Sequence, residues 1–185
     1  TLTRTLTADK WNTFCVPFNA AIPKGWTVKE FSSAADNVYS FTDASTIVAG
    51  QPYIVKPNSD AVNPVFDNVN ITATEGTAQG GGDYKFVGQL YNKELDTDGT
   101  IAYLTADGIV KKLTSGGIKG MRAYFQIPPS SGTEVKLFID GMETSVNEIA
   151  NSKSANNECF DLSGRRISNP SRGIFIVNGK KVVIK

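Results

Sequence analysis

Short strand-like segments, each separated from the next by Gly, Pro, Asn or Asp, run through most of this 185-residue chain. About a dozen of them follow one another at roughly 8–12-residue intervals, a spacing typical of all-β sandwiches and barrels. The 3.6-residue apolar period of an amphipathic helix is hardly found anywhere. The pattern predicts an all-β fold, an antiparallel β-sandwich of the jelly-roll type, over residues 1–142.

The clearest alternation of apolar with other residues lies in Trp11–Phe18, Met121–Pro128 and Glu134–Asp140. Because successive side chains of a strand point to opposite faces, this alternation predicts that one face of each strand lies toward a core. Along the chain, the side chains expected to point largely inward are Phe14, Val16, Phe18, Ile54, Phe86, Leu104, Phe125, Ile127, Leu137 and Ile139.

Polar residues and glycines mark the predicted turns. We expect two antiparallel strands within residues 1–18 to be joined at Ala8–Lys10, and a second hairpin to turn at Ala106–Gly108. Residues 75–83 include three consecutive glycines. Since Gly loses more conformational freedom on folding than any other residue, this segment is predicted to be a flexible, exposed loop.

The composition excludes several classes of function. The chain has no histidine, which excludes Ser-His-Asp and Cys-His catalysis, histidine-ligated zinc or copper and a histidine pH switch. Its net charge of +1 provides no long-range field for a polyanion, which argues against a nucleic-acid partner. No stretch approaches the roughly 18 apolar residues of a membrane span. We also expect no cofactor.

The two cysteines, Cys15 and Cys159, each lie in an apolar strand-like segment. Two buried free thiols are favoured over a disulfide, because nothing else in the sequence indicates a cysteine-stapled scaffold. The chain opens at Thr1 directly in strand-like sequence, without an initiator Met or a signal-peptide pattern. We therefore expect a processed product or a part of something longer.

A possible cation site lies in the acidic segment from Glu94 to Gly99. Carboxylates at alternate positions before a Gly turn, here Asp96 and Asp98, can point at one calcium ion. The rest of an EF-hand loop, including its closing Glu, is missing from the sequence. A solvated turn is therefore the favoured interpretation, and calcium binding the alternative.

Aromatic side chains can form a stacking platform for sugar rings, because their faces cover apolar C–H surface while polar neighbours bind hydroxyls. The aromatic residues that could do so are Trp11, Trp26, Tyr53, Tyr84, Tyr91, Tyr103 and Tyr124. Most strand aromatics belong to the core, so Trp26 and Tyr91, which lie in loop-like sequence, are the better ligand-binding candidates. Carboxylates lie mostly in turns and no pair stands in apolar surroundings, so an enzyme is not favoured.

The C-terminal part differs from the rest in composition. Residues 143–157 are polar and rich in Asn and Ser, which predicts a linker. Residues 158–185 predict a small β-meander of four strands, with a net charge of +4 against −2 for residues 1–142. So short a segment rarely folds alone. We expect Phe160, Phe175 or both to pack on the body or on a neighbouring chain.

Four blocks of the sequence share a pattern with a known family: Trp11–Phe18, Ala49–Pro57, Ile118–Phe125 and Ile139–Thr144. Together they resemble a C-terminal β-sandwich module of secreted and surface Bacteroidetes-type proteins. The tail has a pattern of its own at Gly164, Arg165, Gly173, Asn178, Gly179 and Lys180. With these positions it is similar to the C-terminal sorting domains recognised by type IX secretion.

This resemblance implies a location and an architecture rather than a ligand. It implies an exported accessory module at the extracellular or outer-membrane surface, or in the periplasm, with any catalytic activity upstream of Thr1. The leading hypothesis is a non-catalytic adhesion or glycan-binding module whose partner is a glycan or a host surface protein. The alternative is an export or anchoring module that engages the secretion machinery through its tail, and a glycoside-acting enzyme is a third hypothesis.

Overall fold

The computed structural model describes residues 1–106, 108–129 and 135–140 in full, together with the backbone of five further strands. Its contacts divide the chain into two compact units, Thr1–Val146 and Asn147–Lys185. All the regular structure described is β, which confirms the predicted fold class. Within the described residues there is no helix with the length and apolar character that a membrane crossing requires.

Fifteen strands are described in the first unit. They are β1 (Thr5–Leu6), β2 (Asn12–Phe14), β3 (Trp26–Ala35), β4 (Val38–Asp43), β5 (Tyr53–Pro57), β6 (Ala61–Val62), β7 (Ala78–Gly81), β8 (Tyr84–Gln89), β9 (Lys93–Glu94), β10 (Ile101–Leu104), β11 (Val110–Lys112), β12 (Gly117–Ile118), β13 (Arg122–Gln126), β14 (Lys136–Ile139) and β15 (Met142–Glu143).

Two sheets dominate this unit. One has six strands in the order β15-β14-β4-β3-β5-β2, and the other has five in the order β11-β10-β13-β8-β7. Two smaller two-stranded sheets pair β1 with β6 and β9 with β12. The predicted hairpin around Ala106–Gly108 is confirmed, because β10 and β11 pair antiparallel with Leu104 opposite Val110.

Side chains from both large sheets meet in one apolar core. Phe86 and Phe125 stack with their ring centroids 5.0 Å apart, and Tyr39 meets Phe125 edge-on at 4.9 Å. Tyr39 also donates a hydrogen bond from its hydroxyl to the backbone oxygen of Gln126 in the opposite sheet. Eight of the ten predicted core side chains are buried, and the other two, Phe18 and Leu104, are half-buried against the core clusters.

The six-stranded sheet is covered on both faces. Ile54 and Leu137 lie in the core between the two large sheets, whereas Phe14, Tyr53 and Val55 belong to a second apolar cluster. Neighbouring residues of β5 therefore point into different buried clusters, as the alternation of side chains along a strand requires. This arrangement explains why β5 is apolar at almost every position.

The predicted turn at Ala8–Lys10 does not join a hairpin. Strand β1 pairs with β6, with Thr5 opposite Val62, and β2 pairs with β5, with Phe14 opposite Tyr53. Asp9 adopts a φ of 53° and donates its backbone N–H to the Pro57 oxygen at 2.8 Å. Alternation identifies a strand and its buried face but not its partner, and for this reason the pairing prediction was wrong.

The glycine-rich segment 75–83 is mostly exposed, as predicted, but part of it is a strand rather than a loop. Strand β7 lies within it and pairs antiparallel with β8. Gly82, at a φ of +57°, occupies the first position of the two-residue turn between them, where a type II′ turn favours Gly. A Cβ on Gly76 would lie 2.1 Å from the Gly88 oxygen, so Gly76 is required for close backbone approach.

Strand β14 pairs parallel with β4, with Leu137 opposite Tyr39. All other strand pairs of the first unit are antiparallel. Because parallel neighbours need a long crossover rather than a tight turn, β14 reaches the six-stranded sheet only after the chain has built the five-stranded one. The last full strand of the body thus completes the sandwich.

Four strands are described in the second unit, the number predicted for the tail. They are β16 (Cys159–Phe160), β17 (Arg166–Ile167), β18 (Gly173–Val177) and β19 (Lys180–Ile184). All pair antiparallel in the order β17-β16-β18-β19. In a simple meander β16 would lie at an edge, whereas here it lies between β17 and β18. The predicted contacts of the Phe160 and Phe175 side chains lie outside the described residues.

A lysine is buried at the edge of the core. Lys29 on β3 lies opposite Ile54, and only 3% of its side chain is exposed. Its ammonium bonds to Asp43 at 2.9 Å and to Asp140, whose carboxylates are 80% and 53% exposed. Burial alone would lower the pKa of Lys29, but these hydrogen bonds and charges outweigh burial and raise it.

Cys15 is a buried free thiol between the two large sheets, as predicted. Its Sγ donates to the Gly50 oxygen at 3.3 Å and occupies the space where a Cβ on Gly88 would lie, 2.7 Å away. Burial raises the pKa of the thiol to about 12, although a backbone hydrogen bond at Gln89 acts in the opposite direction. The Cys159 side chain lies outside the described residues.

Candidate functional site

The two faces of the five-stranded sheet are used differently. The inner face carries Phe86 and Phe125 into the core of the sandwich. On the outer face, Ile101 and Tyr124 form a separate small apolar cluster with neighbours that include Ile118 of β12. The β9–β12 pair therefore contributes to this outer cluster rather than to the main core.

A cavity of about 280 Å³ opens on this outer face, and we name it the tyrosine cavity. Its defining side chains are Leu95, Ile101, Tyr103, Leu113, Arg122 and Tyr124. Strand β13 places Arg122 and Tyr124 two residues apart, so both point away from the core while Ala123 and Phe125 point into it. The same alternation directs Ile101 and Tyr103 of β10 outward.

Glycines allow the strands beside the cavity to approach closely. A Cβ on Gly117 would lie 2.1 Å from the Lys93 oxygen, and one on Gly120 would lie 2.5 Å from the Leu90 oxygen. Gly120 also donates its N–H to Asn92 Oδ1 at 2.9 Å. These contacts join the segment before the acidic turn to the segment before β13, and so hold the wall of the cavity in place.

The two cavity tyrosines differ in exposure. Tyr103 is 38% exposed, whereas Tyr124 is 9% exposed. Burial, followed by the nearby charge of Asp96, raises the pKa of the Tyr124 hydroxyl. Tyr124 is therefore a neutral phenol at neutral pH, able to donate one hydrogen bond and to present its ring to a ligand.

Two arginines lie together beside the tyrosines. Arg122 lines the cavity, is half-buried, and has its pKa lowered by burial. Arg4 Nη1 donates to the Thr13 oxygen at 2.9 Å and to the Met121 oxygen at 2.7 Å, which places its guanidinium next to the backbone of Arg122. Burial and then repulsion from Arg122 lower the pKa of Arg4 to about 9.

A second groove of about 340 Å³ adjoins the tyrosine cavity, because Tyr124 lines both. Tyr91, a candidate from the sequence, lines this groove and is 62% exposed. Glu75 and Lys93 also line it, so its charged side chains are of opposite sign. Tyr91, Tyr124 and Tyr103 thus lie along two adjoining concave surfaces.

Trp26, the other sequence candidate, lies elsewhere. It is half-buried against the second apolar cluster and meets Phe14 edge-on at 5.8 Å and Phe66 edge-on at 6.1 Å. It lines neither the tyrosine cavity nor the groove. The two candidates are therefore not brought into one site.

The sequence placed Tyr103 and Tyr124 among the possible platform residues without preferring them. Their signal was the strand alternation itself, because Tyr124 stands between the inward residues Ala123 and Phe125. Arg122 was missed altogether, although it shares the outward face with Tyr124. An aromatic and a cation two positions apart on the outward face of a strand would have indicated the site.

The acidic segment forms a turn. Asp98 Oδ1 accepts hydrogen bonds from the Thr100 N–H at 2.9 Å and from the Thr100 hydroxyl at 2.6 Å, and these bonds lower the pKa of Asp98. Within the described part of the chain, no three His, Cys, Asp or Glu residues are grouped to hold a metal ion. Calcium binding by Asp96 and Asp98 stays a prediction.

The sorting-like positions of the tail are described only in part. Gly173 begins β18 and Lys180 begins β19, and these two strands pair as neighbours. The other four positions lie outside the described residues: Gly164, Arg165, Asn178 and Gly179.

No protein-family model, curated protein or solved structure matches this chain. The geometry and chemistry of the tyrosine cavity and of the groove beside it are therefore the main indications of a ligand.

Proposed function

We propose that this chain is a non-catalytic binding module that takes a glycan at the tyrosine cavity and the adjoining groove. The observation that supports this most directly is Tyr124, which lines both concavities between the more exposed Tyr103 and Tyr91. Aromatic rings cover the apolar C–H faces of sugars, while hydroxyl, amide and charged groups at the rim bind sugar hydroxyls.

The sizes of the two concavities agree with this proposal. They measure about 280 and 340 Å³, close to the roughly 300 Å³ lower limit of small-molecule sites. Each is suited to one sugar unit rather than to a large ligand. Two adjoining subsites that share a tyrosine suit a short run of linked sugars.

Adhesion at a surface is the setting we propose for this binding. It rests on the sequence resemblance to modules of secreted and surface proteins, with the extracellular or outer-membrane surface as location and the periplasm as alternative. The partner would then be a glycan, free or carried by a host surface protein. Binding without catalysis suits a module that attaches another domain to its target.

The test is a glycan array probed with the whole chain, followed by affinity measurements on variants. Tyr103→Ala should lower the affinity for the best glycan about tenfold or more, because it removes a stacking face. Phe138→Ala is the matched control, since Phe138 is 40% exposed on the other sheet and lines neither concavity. Equal losses in both variants, or no glycan bound by the chain, would contradict the proposal.

Export or anchoring through the tail is the second candidate function. Residues Asn147–Lys185 form their own compact unit around a four-stranded sheet, which suits a segment recognised separately from the body. A reporter protein fused ahead of this unit should then reach the surface of a bacterium with type IX secretion. A reporter that stays inside would count against this candidate and leave glycan binding by the body unaffected.

A glycoside-acting enzyme is the third hypothesis. Asp43 and Asp140 are a carboxylate pair that the structure brings together, and the Lys29 ammonium bridges them. Hydrolysis of a glycan bound on the array would support an enzyme over a binding module.

A further inference from the structure

The tyrosine cavity is lined by two cations that have no acidic partner within the described ranges of the chain. Arg122 and Lys119 are its charged lining residues, and both are positive. Neither forms an ion pair with any residue that the structure describes. A half-buried guanidinium without a carboxylate is unusual, because desolvation of a charge is normally offset by a partner.

Arg4 increases the positive charge behind this wall. Its Nη1 is fixed by the Thr13 and Met121 carbonyls, whereas its Nε is buried without a hydrogen-bond partner among the described residues. The charge of Arg4 is thus held near Arg122, which lines the cavity. The described residues supply no carboxylate to either guanidinium, so an anionic ligand would complement the two charges.

We propose that the glycan bound by this chain carries a carboxylate, as a uronic acid does, and that Arg122 binds this carboxylate in the tyrosine cavity. This inference rests on the proposed glycan-binding function and names the class of sugar. Arg4 acts as a positioning residue, since its charge favours the anion without contact to the ligand.

A carboxylate on a sugar ring fits the geometry of the wall. The planar guanidinium of Arg122 presents parallel N–H donors that match the two oxygens of a carboxylate. Tyr124 is two residues away on the same outward face of β13, so the ring that bears the carboxylate can stack on an aromatic face. Charge and stacking are therefore supplied side by side.

The surrounding charges assign the carboxylate to the cavity rather than to the groove. In the groove, Glu75 opposes the charge of Lys93. Asp96 acts on the Tyr124 hydroxyl, so an anion near that hydroxyl would be repelled. Of the residues that line the two concavities, Arg122 is the cation with a second cation, Arg4, close to it.

The experiment uses the whole chain and pairs of glycans that differ only in charge, such as an oligogalacturonate and its methyl ester. Among the glycans found on the array, we expect a carboxylate-bearing one to bind at least tenfold tighter than its ester. Binding of the acid should weaken with salt, whereas binding of the ester should not.

Variants test the role of Arg122. Arg122→Gln should remove the preference for acid over ester, and Arg122→Lys should keep only part of it, because Lys lacks the planar fork. Lys24→Gln loses the same charge at an exposed position that does not line the cavity, and should keep the full preference. Dispersed NMR spectra establish that each variant is folded.

Two sets of results separate the inference from the proposed function. Equal affinity for acid and ester, exclusive binding of neutral or sulfated glycans, or an unchanged preference in Arg122→Gln would overturn the carboxylate inference and leave glycan binding intact. No glycan bound at all would overturn both.

Discussion

Lys29 and Arg122 are both cations of the first unit that are partly or almost wholly shielded from water, yet they differ in the charged groups around them. Lys29 is almost wholly buried and bonds to two carboxylates, Asp43 and Asp140. Arg122 is half-buried, has no acidic partner among the described residues and lies near a second cation, Arg4. Among the described residues, the first charge is paired with carboxylates and the second is not.

The difference separates a charge that serves the fold from one that serves a site. A buried cation with partners stabilises the native state, and removing it leaves those partners unpaired. A cation buried without partners lowers the free energy of unfolding, and residues of functional sites often have this cost. Stability and binding should therefore respond in opposite ways to mutation of the two residues.

The largest effect is expected from Lys29→Ala, which should lower the free energy of unfolding by about 2–3 kcal/mol. The variant loses the buried methylene groups as well as both ion pairs. Urea unfolding followed by tryptophan fluorescence measures it. Arg122→Ala is the comparison and should change the free energy of unfolding far less. Equal losses in the two variants would show that Arg122 is also a structural cation.

A smaller effect is expected at alkaline pH. The folded state raises the pKa of Lys29 above the 10.5 of the unfolded chain, so the folded protein keeps a proton that the unfolded chain releases. This contribution is complete below pH 10.5 and is lost as the pH rises through the folded-state pKa. Wild type should therefore lose more stability than Lys29→Met as the pH rises above 10.5 in urea titrations. Parallel losses would mean that Lys29 titrates normally.

Arg122→Gln should raise the free energy of unfolding slightly, by about 0.5 kcal/mol, the size of other close charge pairs. The variant removes the repulsion with Arg4 and the desolvation of the Arg122 charge. Chemical denaturation without ligand, compared with Lys24→Gln, measures this. A clear destabilisation would show that the guanidinium stabilises the fold, and the contrast with Lys29 would fail.

The smallest effect concerns Asp96. Asp96→Asn removes a negative charge near Tyr124 and should raise the affinity for a carboxylate-bearing glycan about twofold, with no change for the methyl ester. Asp67→Asn, an exposed aspartate outside the tyrosine cavity, is the control. An equal gain for acid and ester would place the effect of Asp96 on the tyrosine rather than on the anion.

The sandwich could be predicted because alternation reports burial locally. Phe125 and Leu137 were expected inward from their own strands, and both are buried. The same information does not reveal which strands meet, and so β1 was assigned to β2 rather than to β6. Glycine is ambiguous for a related reason. Gly76 was interpreted as flexible, whereas it permits contact with the backbone of β8.

The candidate site was harder to predict because it is assembled from distant segments. Arg4 bonds to the carbonyl of Met121, 117 positions away. Nothing in the local sequence of either residue indicates that the two arginines are neighbours. Tyr91 could be singled out because exposure in a loop is indicated by the local sequence. A cavity depends on which strands pair with one another, and the local sequence does not reveal this.

The Cys15 thiol can report how often the body of this molecule opens. Its sulfur lies over Gly88 of the opposing sheet, and its pKa of about 12 leaves almost no reactive thiolate while the two sheets are together. We therefore expect alkylation to be slow while the sheets are together and to become fast when they separate. With Cys159 replaced by Ser, the rate of alkylation thus measures how often the body opens, and a bound ligand would slow it in proportion to its affinity.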